Sequence, residues 1–348
     1  MINLKLQKLK KILFITEHPA PYWDDAFELF NLSSDFDVIY IDEFVSSKPW
    51  KNYKYFRGTL YKQKFDVLIM LFKSKNIIIG GYYRKELRLL LFFSLMLGKK
   101  VNLFSDVPHV NKRTAIQNIF KSLLFKRINL FYISGKKGIE YFHNTYKIKY
   151  SNLIYLPYSY KSIDLNTYDY KKKFIKFNVI ISSRFLKRKG HSVLVKALEI
   201  CSKDVLRSFH FIFLGEGPEK NKIRIKLEKI NNLSFELKGW VSFEEYYEYL
   251  NNSNILIHPS FFEPFGIPII DALNRGLIVI SSDEVMSSYD FVKNGINGFI
   301  YPSKDYKKLH NILNHIFYNR NELNLISELA LKTIPNYNKF VKIAIDRI

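Results

Sequence analysis

The 348-residue chain has little cysteine and no long apolar run. Cys201 is its single cysteine, which excludes an internal disulfide framework and any multi-cysteine metal site and fits a reducing compartment. The longest apolar run, residues 89–98, is about half of the roughly 20 residues that a membrane-spanning helix needs. Near the N-terminus the apolar run is only ILFI, with Glu17 soon after, which indicates a strand and not a signal peptide. These absences predict a protein made and kept in the cytoplasm.

Acidic residues are scarce in residues 51–150, which carry 21 basic and 4 acidic groups and so hold +17 of the net charge of +22. Residues 82–100 and 111–127 are predicted helices with basic groups beside Leu and Phe, the composition of a surface that rests on anionic lipid. Nucleic acid is the competing partner for such a patch. Only 5 of the 21 basic residues are Arg, and no nucleic-acid motif accompanies them. We therefore predict an anionic membrane surface as the partner of residues 51–150, and no nucleic acid.

Strand and helix patterns alternate along the chain, which predicts an α/β protein with parallel, doubly wound sheets. Short apolar runs such as KILFI, DVIYI, FDVLIML (residues 65–71) and NIIIG are the predicted strands of the first half. Residues 161–173 lose the apolar rhythm and are interpreted as a linker. The length and the 47% hydrophobic content suit two domains. We place them at residues 1–165 and 166–334, with a final helix over 335–348.

The stretch HPSFFEPFGIPIIDALNRG, residues 258–276, lies between two buried-strand patterns. Glu263 and Asp271 are its acids, with seven residues between them. Gly266 permits close approach of a ligand, and Pro268 suits the first turn of a helix. A helix start at the carboxyl edge of a strand is a ready anion site. A loop carboxylate and a solvated helix residue are the alternative interpretation.

Two further turns have the composition of phosphate-binding loops. Arg184 and Lys189 are five residues apart at a strand-to-helix turn, where two cations can hold both phosphates of a diphosphate. A solvated basic loop is the alternative. Gly215 and Gly217 form a G-x-G that lacks the third glycine of a dinucleotide fingerprint.

The residues 258–276 resemble the donor-site signature of the retaining family-four glycosyltransferases, which have the GT-B fold. In that signature two Glu residues with seven residues between them flank an F-G and a helix rich in small residues. The matching positions here are Glu263, Phe265, Gly266, Ala272 and Gly276. The chain departs from the family at its second acid, Asp271, which is one methylene shorter. Residues 175–305 match well in order and spacing, whereas the N-terminal half matches only in layout.

This resemblance implies two Rossmann-like domains with the active site in the cleft between them. The first domain would be the acceptor side, the second would bind the nucleotide sugar, and the final helix would cross back to the first. Glu263 would bind hydroxyls of the donor sugar and Asp271 the ribose, while Arg184 and Lys189 stabilise the departing diphosphate. The other donor-side residues implied are the amides of Phe265, Gly266 and Ile267, the turn at Gly215 and Gly217, Trp240 near the base, and Ser287 and Ser288 near the distal phosphate. For Trp240, packing in the core is the alternative.

Acceptor-side candidates lie in the first domain. The resemblance points to His18 and Tyr22 after the first strand, and to Asp106 or His109 in FSDVPH near the transferred sugar. A plain turn is the alternative for Asp106, and a capping or solvent role is the alternative for His18. The motif Asp35-x-Asp37 precedes a strand instead of following one. We therefore expect no cofactor and no essential metal.

The sequence as a whole indicates a retaining glycosyltransferase that moves a sugar from a nucleotide-diphosphate donor to a glycan or lipid-linked acceptor at the inner face of a membrane, in the assembly of cell-surface polysaccharide or glycoconjugate. Two alternatives stay open. One is a different chemistry on the same fold, as in a sugar-nucleotide epimerase or a phosphorylase. The other is a non-catalytic glycan-assembly partner with a decayed donor site, suggested by Asp271 and by the missing glycines near Met286.

Overall fold

The computed structural model describes residues 11–33, 35–42, 58–107, 121–158, 176–333 and 337–348. These form two compact units. The first holds the described residues up to 158 together with 337–348, and the second holds residues 176–333. The predicted linker, residues 161–173, lies outside the described ranges.

The first unit is built on a seven-stranded parallel sheet with the strand order β3-β2-β1-β4-β5-β6-β7. Its strands are rich in Ile, Val and Phe and buried on both faces, as expected where helices cover a parallel sheet from both sides. The strands are β1 Lys11–Thr16, β2 Asp35–Tyr40, β3 Thr59–Leu60, β4 Asn76–Gly80, β5 Lys100–Ser105, β6 Leu130–Ile133 and β7 Leu153–Tyr155.

The helices of the first unit are α1 Pro21–Ser33, α2 Lys64–Lys73, α3 Lys85–Met96, α4 Lys136–Tyr146 and the C-terminal helix Tyr337–Arg347. The C-terminal helix packs against α1. The chain end is tied to this sheet by Tyr132, whose hydroxyl donates to the carbonyl of Ala344 at 3.3 Å, and by Lys100, whose Nζ donates to Ile348 at 2.7 Å.

One predicted strand of this unit is wrong. FDVLIML, residues 65–71, lies inside helix α2. Val67 and Leu71 of α2 are buried, while Phe65 and Leu68 are exposed, so the helix is apolar on both sides. A run that is apolar on both sides has no periodicity by which a strand can be told from a helix.

The second unit is built on a six-stranded parallel sheet with the order β10-β9-β8-β11-β12-β13. Its strands are β8 Phe177–Ser182, β9 Phe209–Leu214, β10 Ser234–Gly239, β11 Ile255–His258, β12 Ile278–Ser282 and β13 Gly298–Tyr301. Its helices are α5 His191–Glu199, α6 Lys203–Ser208, α7 Lys220–Glu228, α8 Phe243–Asn251, α9 Ile267–Leu273, α10 Met286–Phe291, α11 Tyr306–Tyr318 and α12 Leu323–Leu331. Ser242 and Glu245 form a capping box at the start of α8.

The α/β class with two doubly wound parallel sheets is confirmed. In the second sheet the chain winds outward from β8 through β9 to β10, then returns to place β11 on the other side of β8. Ligands of such sheets bind outside the carboxyl ends of the strands at this reversal. Among the described residues no helix combines the length and apolarity needed to cross a membrane.

Candidate active site

The reversal point of the second sheet brings together the two loops that the sequence analysis singled out. The loop after β8 carries Arg184 and Lys189, and the loop after its neighbour β11 carries Glu263. Both loops leave the carboxyl edge of the sheet, because the strands are parallel. The predicted cations and the first predicted acid therefore lie at the place where this architecture binds ligands.

Gly190 lets these two loops touch. Its φ is +69°, and a Cβ built on it would lie 1.8 Å from the carbonyl oxygen of Pro259. The amide of Phe261 donates to the carbonyl of Arg188 at 2.7 Å in the same contact. No residue with a side chain fits here without moving a backbone. The Lys189-Gly190 pair thus places a cation against the loop after β11.

Lys189 forms a buried ion pair with Glu263. His258 places Nε2 at 3.5 Å from Glu263 Oε2, and Arg188 approaches the same oxygen at 3.9 Å. Burial by itself raises the pKa of Glu263, but His258 and Lys189 outweigh it and hold the pKa at about 2. Burial lowers the pKa of His258, so its imidazole is neutral near pH 7. Glu263 is therefore a permanent anion at neutral pH.

Arg184 is exposed at this site, as is Arg188 on the same turn. Across the described ranges the Arg184 guanidinium makes no ion pair or hydrogen bond, in contrast to the paired Lys189. One positive charge at the reversal point is therefore already matched by a carboxylate, and a second is available to an anion from solvent.

The loop at Phe265, Gly266 and Ile267 is held by the segment that follows β12. Phe265 is buried, and Gly266 has φ +99° at the start of α9. Ser287 donates its amide to the carbonyl of Phe265 and its hydroxyl to that of Gly266, both at 2.8 Å. Ser288 donates its hydroxyl to Ser281 at 2.7 Å. Both serine hydroxyls are thus engaged inside the protein, and their contact with the distal phosphate stays a prediction.

Asp271 lies in the interior, with 2% of its surface exposed, so its interpretation as a solvated helix residue is wrong. Tyr246 donates its hydroxyl to Asp271 Oδ2 at 3.0 Å, and Tyr247 donates to Oδ1 at 3.5 Å. Burial raises the pKa of Asp271 to about 6, against the lowering effects of Arg275 and the two tyrosines. Both tyrosines lie on α8, and the sequence analysis missed them because FEEYYEYL shows only a helix with many aromatic residues.

The turn at Gly215 and Gly217 packs against the loop after β8. A Cβ on Gly215 would meet the carbonyl oxygen of Ser183 at 2.5 Å, and one on Gly217 would meet that of Phe185 at the same distance. These glycines therefore bring the turn after β9 against the backbone next to Arg184. Trp240 is 42% exposed, so core packing is wrong for it, and its stacking on a base stays a prediction.

Comparison with known proteins identifies the second unit. Residues 169–333 match the family described as glycosyl transferases group 1. The second unit belongs to this family.

Relatives match the chain only in part. A poly(glycerol-phosphate) alpha-glucosyltransferase of Bacillus subtilis is 26% identical over 166 residues, which is 47% of this chain and 24% of the relative. An uncharacterised 41.2 kDa protein in the cps region of Klebsiella pneumoniae is 26% identical over 138 residues, 40% of this chain and 36% of the relative. The matched segments thus span about a third or less of the length of these relatives.

Solved structures match along nearly the whole chain. The structure of HepE from Anabaena, crystallised in complex with UDP and glucose, has a TM-score of 0.71 at 15% identity and covers 97% of this chain and 98% of its own. This likeness confirms the predicted GT-B fold.

In the first unit, acceptor-side candidates meet near the carboxyl end of β5. Asp106 follows β5 and accepts a hydrogen bond from Ser134 at 2.8 Å. The rings of Tyr22 and Tyr158 lie edge to face, 4.9 Å apart. Burial raises the pKa of both phenols, and the Asp106 charge raises them further. Ser134 and Tyr158 were missed, since neither stands in a recognisable motif.

The other two acceptor-side candidates are less defined. His18 is half-buried in the loop between β1 and α1. His109 lies outside the described residues, so its role stays a prediction.

The Asp35-x-Asp37 motif lies at the amino end of β2, as expected from its position before a strand. Asp35 and Asp37 pair with Lys11 at 3.7 and 3.1 Å. Within the described ranges no three His, Cys, Asp or Glu side chains are grouped so that they can hold a metal ion. Independence from metal stays a prediction.

Proposed function

We propose that the chain is a retaining glycosyltransferase that moves a sugar from a nucleoside-diphosphate donor to a glycan or lipid-linked acceptor. The observation that carries the proposal is the buried pair of Lys189 with Glu263 beside the exposed Arg184, at the reversal point of the second sheet. The Anabaena protein HepE was crystallised with UDP and glucose, which supports a uridine diphosphate sugar as the donor.

The two cations would neutralise the diphosphate. Arg184 has no partner to give up in the described part of the chain, and a guanidinium matches phosphate oxygens with two parallel hydrogen bonds. Lys189 is fixed by Glu263 and by the contact at Gly190, so its ammonium needs little reorganisation to share its charge with a phosphate. Cations that are already in place act most strongly where charge grows as the bond to the diphosphate breaks.

Glu263 would bind hydroxyls of the donor sugar. With a pKa of about 2 its carboxylate accepts hydrogen bonds at neutral pH and has no proton to give, so it does not act as a general acid. Its contacts with Lys189, Arg188 and His258 all involve Oε2. The other oxygen, Oε1, is the acceptor we assign to the sugar.

We assign the acceptor to the first unit, at Asp106 and Tyr22. The acceptor hydroxyl would attack the face of the sugar from which the diphosphate leaves, so that the anomeric configuration is retained. We expect no essential metal, because Arg184 and Lys189 supply the charge that a divalent ion supplies elsewhere. The basic first unit would work against an anionic membrane surface at the inner face of the membrane.

The test is thermal shift and donor hydrolysis with a panel of nucleoside-diphosphate sugars in EDTA. We expect one donor to stabilise the protein and to be turned over, and we expect both effects to be lost in Arg184→Ala/Lys189→Ala. Each cation contributes on the order of 3 kcal/mol of transition-state binding. Lys187→Ala is the matched control, because it removes an exposed charge from the same turn. Full turnover in the double variant would sink the assignment.

A second candidate is a non-catalytic partner that binds a nucleotide sugar without transferring it. The hydrogen bonds from Tyr246 and Tyr247 to Asp271 favour this candidate, because a buried carboxylate that already accepts two hydrogen bonds is less free to bind a ribose. Tight binding of a nucleotide with no transfer to any of a panel of glycan and lipid-linked acceptors would support this candidate over the transferase.

A further inference from the structure

Helices α2 and α3 of the first unit expose apolar side chains in a cluster. Phe65, Leu68 and Phe72 of α2 and Phe92, Phe93 and Met96 of α3 are each between 52% and 76% exposed. We call these six residues the α2–α3 face. In the second unit the large exposed apolar side chains stand singly on separate elements. Single exposed apolar residues are ordinary, whereas clustered ones mark an interaction surface.

The α2–α3 face is one surface, because both helices cover the same side of the first sheet. Val67 and Leu71 of α2 and Leu87 and Leu91 of α3 belong to one core cluster with side chains from β1, β2, β4 and β5. The ends of the two helices are also joined, since Lys99 Nζ donates to the carbonyl of Phe72 at 2.7 Å. The opposite sides of α2 and α3 therefore point away from the sheet together.

Positive charge surrounds this face. Residues 62–100 carry nine basic and two acidic groups. One of the two acids, Glu86, pairs with Arg84 at 3.2 Å, and Arg84 also pairs with Asp42 at 2.5 Å and with Glu17 at 3.4 Å. The charge of Arg84 is therefore matched by carboxylates, and the positive charge at the face comes from the other basic residues. Lys64, Lys73, Lys85 and Arg88 are exposed beside the apolar residues. Within residues 62–100, Asp66 is the one exposed acid.

Charge complementarity selects the occupant. A second copy of the chain would bring two positive rims together, so repulsion would oppose self-association. Aromatic side chains flanked by lysines suit the interface of a bilayer, where rings reach the acyl boundary and ammonium groups meet phosphates.

We propose that the α2–α3 face docks the protein on a bilayer rich in anionic lipid, with Phe65, Phe72, Phe92 and Phe93 inserted among the headgroups. The proposal deepens the proposed function and rests on it for the view that the acceptor is met at a membrane. It names anionic phospholipid as the partner and these two helices as the contact.

The test is co-sedimentation of the full chain with sucrose-loaded vesicles of phosphatidylcholine alone or with 30% phosphatidylglycerol, at low and high salt. We expect binding to the anionic vesicles only. Phe92→Gln/Phe93→Gln should weaken the partition coefficient at least tenfold through lost apolar burial. Lys64→Glu/Lys73→Glu/Lys85→Glu should weaken it by roughly fivefold or more for each lysine and remove most of its salt dependence.

Ile225→Gln/Leu325→Gln is the matched control, because it replaces two exposed apolar residues of the second unit. It should bind vesicles as the unaltered protein does. Nucleotide binding, followed by thermal shift with UDP, reports the donor site separately and also reports folding. Retained UDP binding with no vesicle binding overturns the docking proposal alone, and vesicle binding with no nucleotide response overturns the proposed function alone. The docking proposal is also overturned if the Phe variant and the control bind vesicles equally. It is likewise overturned if the unaltered protein is a dimer that Phe92→Gln/Phe93→Gln dissociates, because the face would then be a contact between two copies.

Discussion

Asp271→Asn is expected to stabilise the protein while weakening its binding of nucleotide. The Asp271 carboxyl is buried, and its pKa rises from the ordinary value of 3.8 to about 6. A raised carboxyl pKa means that ionisation costs more in the folded state than in the unfolded state. The pKa rises by about two units, and at about 1.4 kcal/mol per unit the cost of ionisation is about 3 kcal/mol.

The pH dependence of the effect follows from the same shift. Below pH 3.8 the carboxyl is protonated in both states and the cost is absent. It grows between pH 3.8 and 6 and is complete above pH 6. An amide has no charge to desolvate and still offers an oxygen to Tyr246, whose hydroxyl donates at 3.0 Å. The free energy of unfolding of Asp271→Asn should therefore exceed that of the unaltered protein by about 3 kcal/mol at pH 8 and by roughly half as much at pH 5.

Urea unfolding at pH 5 and pH 8 measures this difference, and titration with UDP measures the lost ribose contact. Glu244→Gln is the control, because it neutralises an exposed carboxylate on α8 and should change neither quantity. A variant that is less stable than the unaltered protein at pH 8, or a gain that does not change with pH, would refute the reasoning. Unchanged affinity for UDP would refute the assignment of Asp271 to the ribose.

Three further predictions rest on the same structure. Gly190→Ala should unfold at a much lower urea concentration and lose UDP binding, because its Cβ would lie 1.8 Å from the carbonyl oxygen of Pro259. Gly295→Ala is the control: its φ is +77° with open space around it, so the substitution should cost only about 1 kcal/mol of strain. Glu263→Gln should lower the free energy of unfolding at pH 7 by about 3 kcal/mol, measured by urea unfolding, because the pKa of Glu263 is lowered from 4.5 to about 2. The difference in free energy of unfolding between the variant and the unaltered protein should shrink as the pH falls below 4.5. Asp106→Asn should raise KM for the acceptor and leave KM for the donor unchanged in steady-state kinetics; an equal rise in both would remove Asp106 from the acceptor side.

Local sequence patterns predicted most of the fold. The alternation of apolar runs and helical segments predicted the parallel sheets, since period and run length are properties of neighbouring residues. The error at residues 65–71 has the same origin, because a helix that is apolar on both sides shows no periodicity. Three of the seven apolar residues of α2 are exposed, and this exposure is decided by packing, which the local sequence pattern does not show.

The candidate site was also predicted only in part from the sequence. The spacing of Arg184, Lys189 and Glu263 along the chain indicated a diphosphate site through resemblance to a family. Their pairing could not be read from spacing, because Lys189 and Glu263 are 74 residues apart and meet only where β8 and β11 lie side by side. The tyrosines on Asp271 were missed for the same reason.

The sequence by itself determined the class of the fold, the loops that carry the charged residues and the concentration of basic groups in residues 51–150. These depend on local composition and order. The tertiary structure decided the charge state of each group: His258 and Lys189 hold Glu263 ionised, and burial pushes Asp271 toward the neutral form. The physical reason is that a pKa depends on solvent exclusion and on neighbouring charges, and both are set by residues that are distant in the chain.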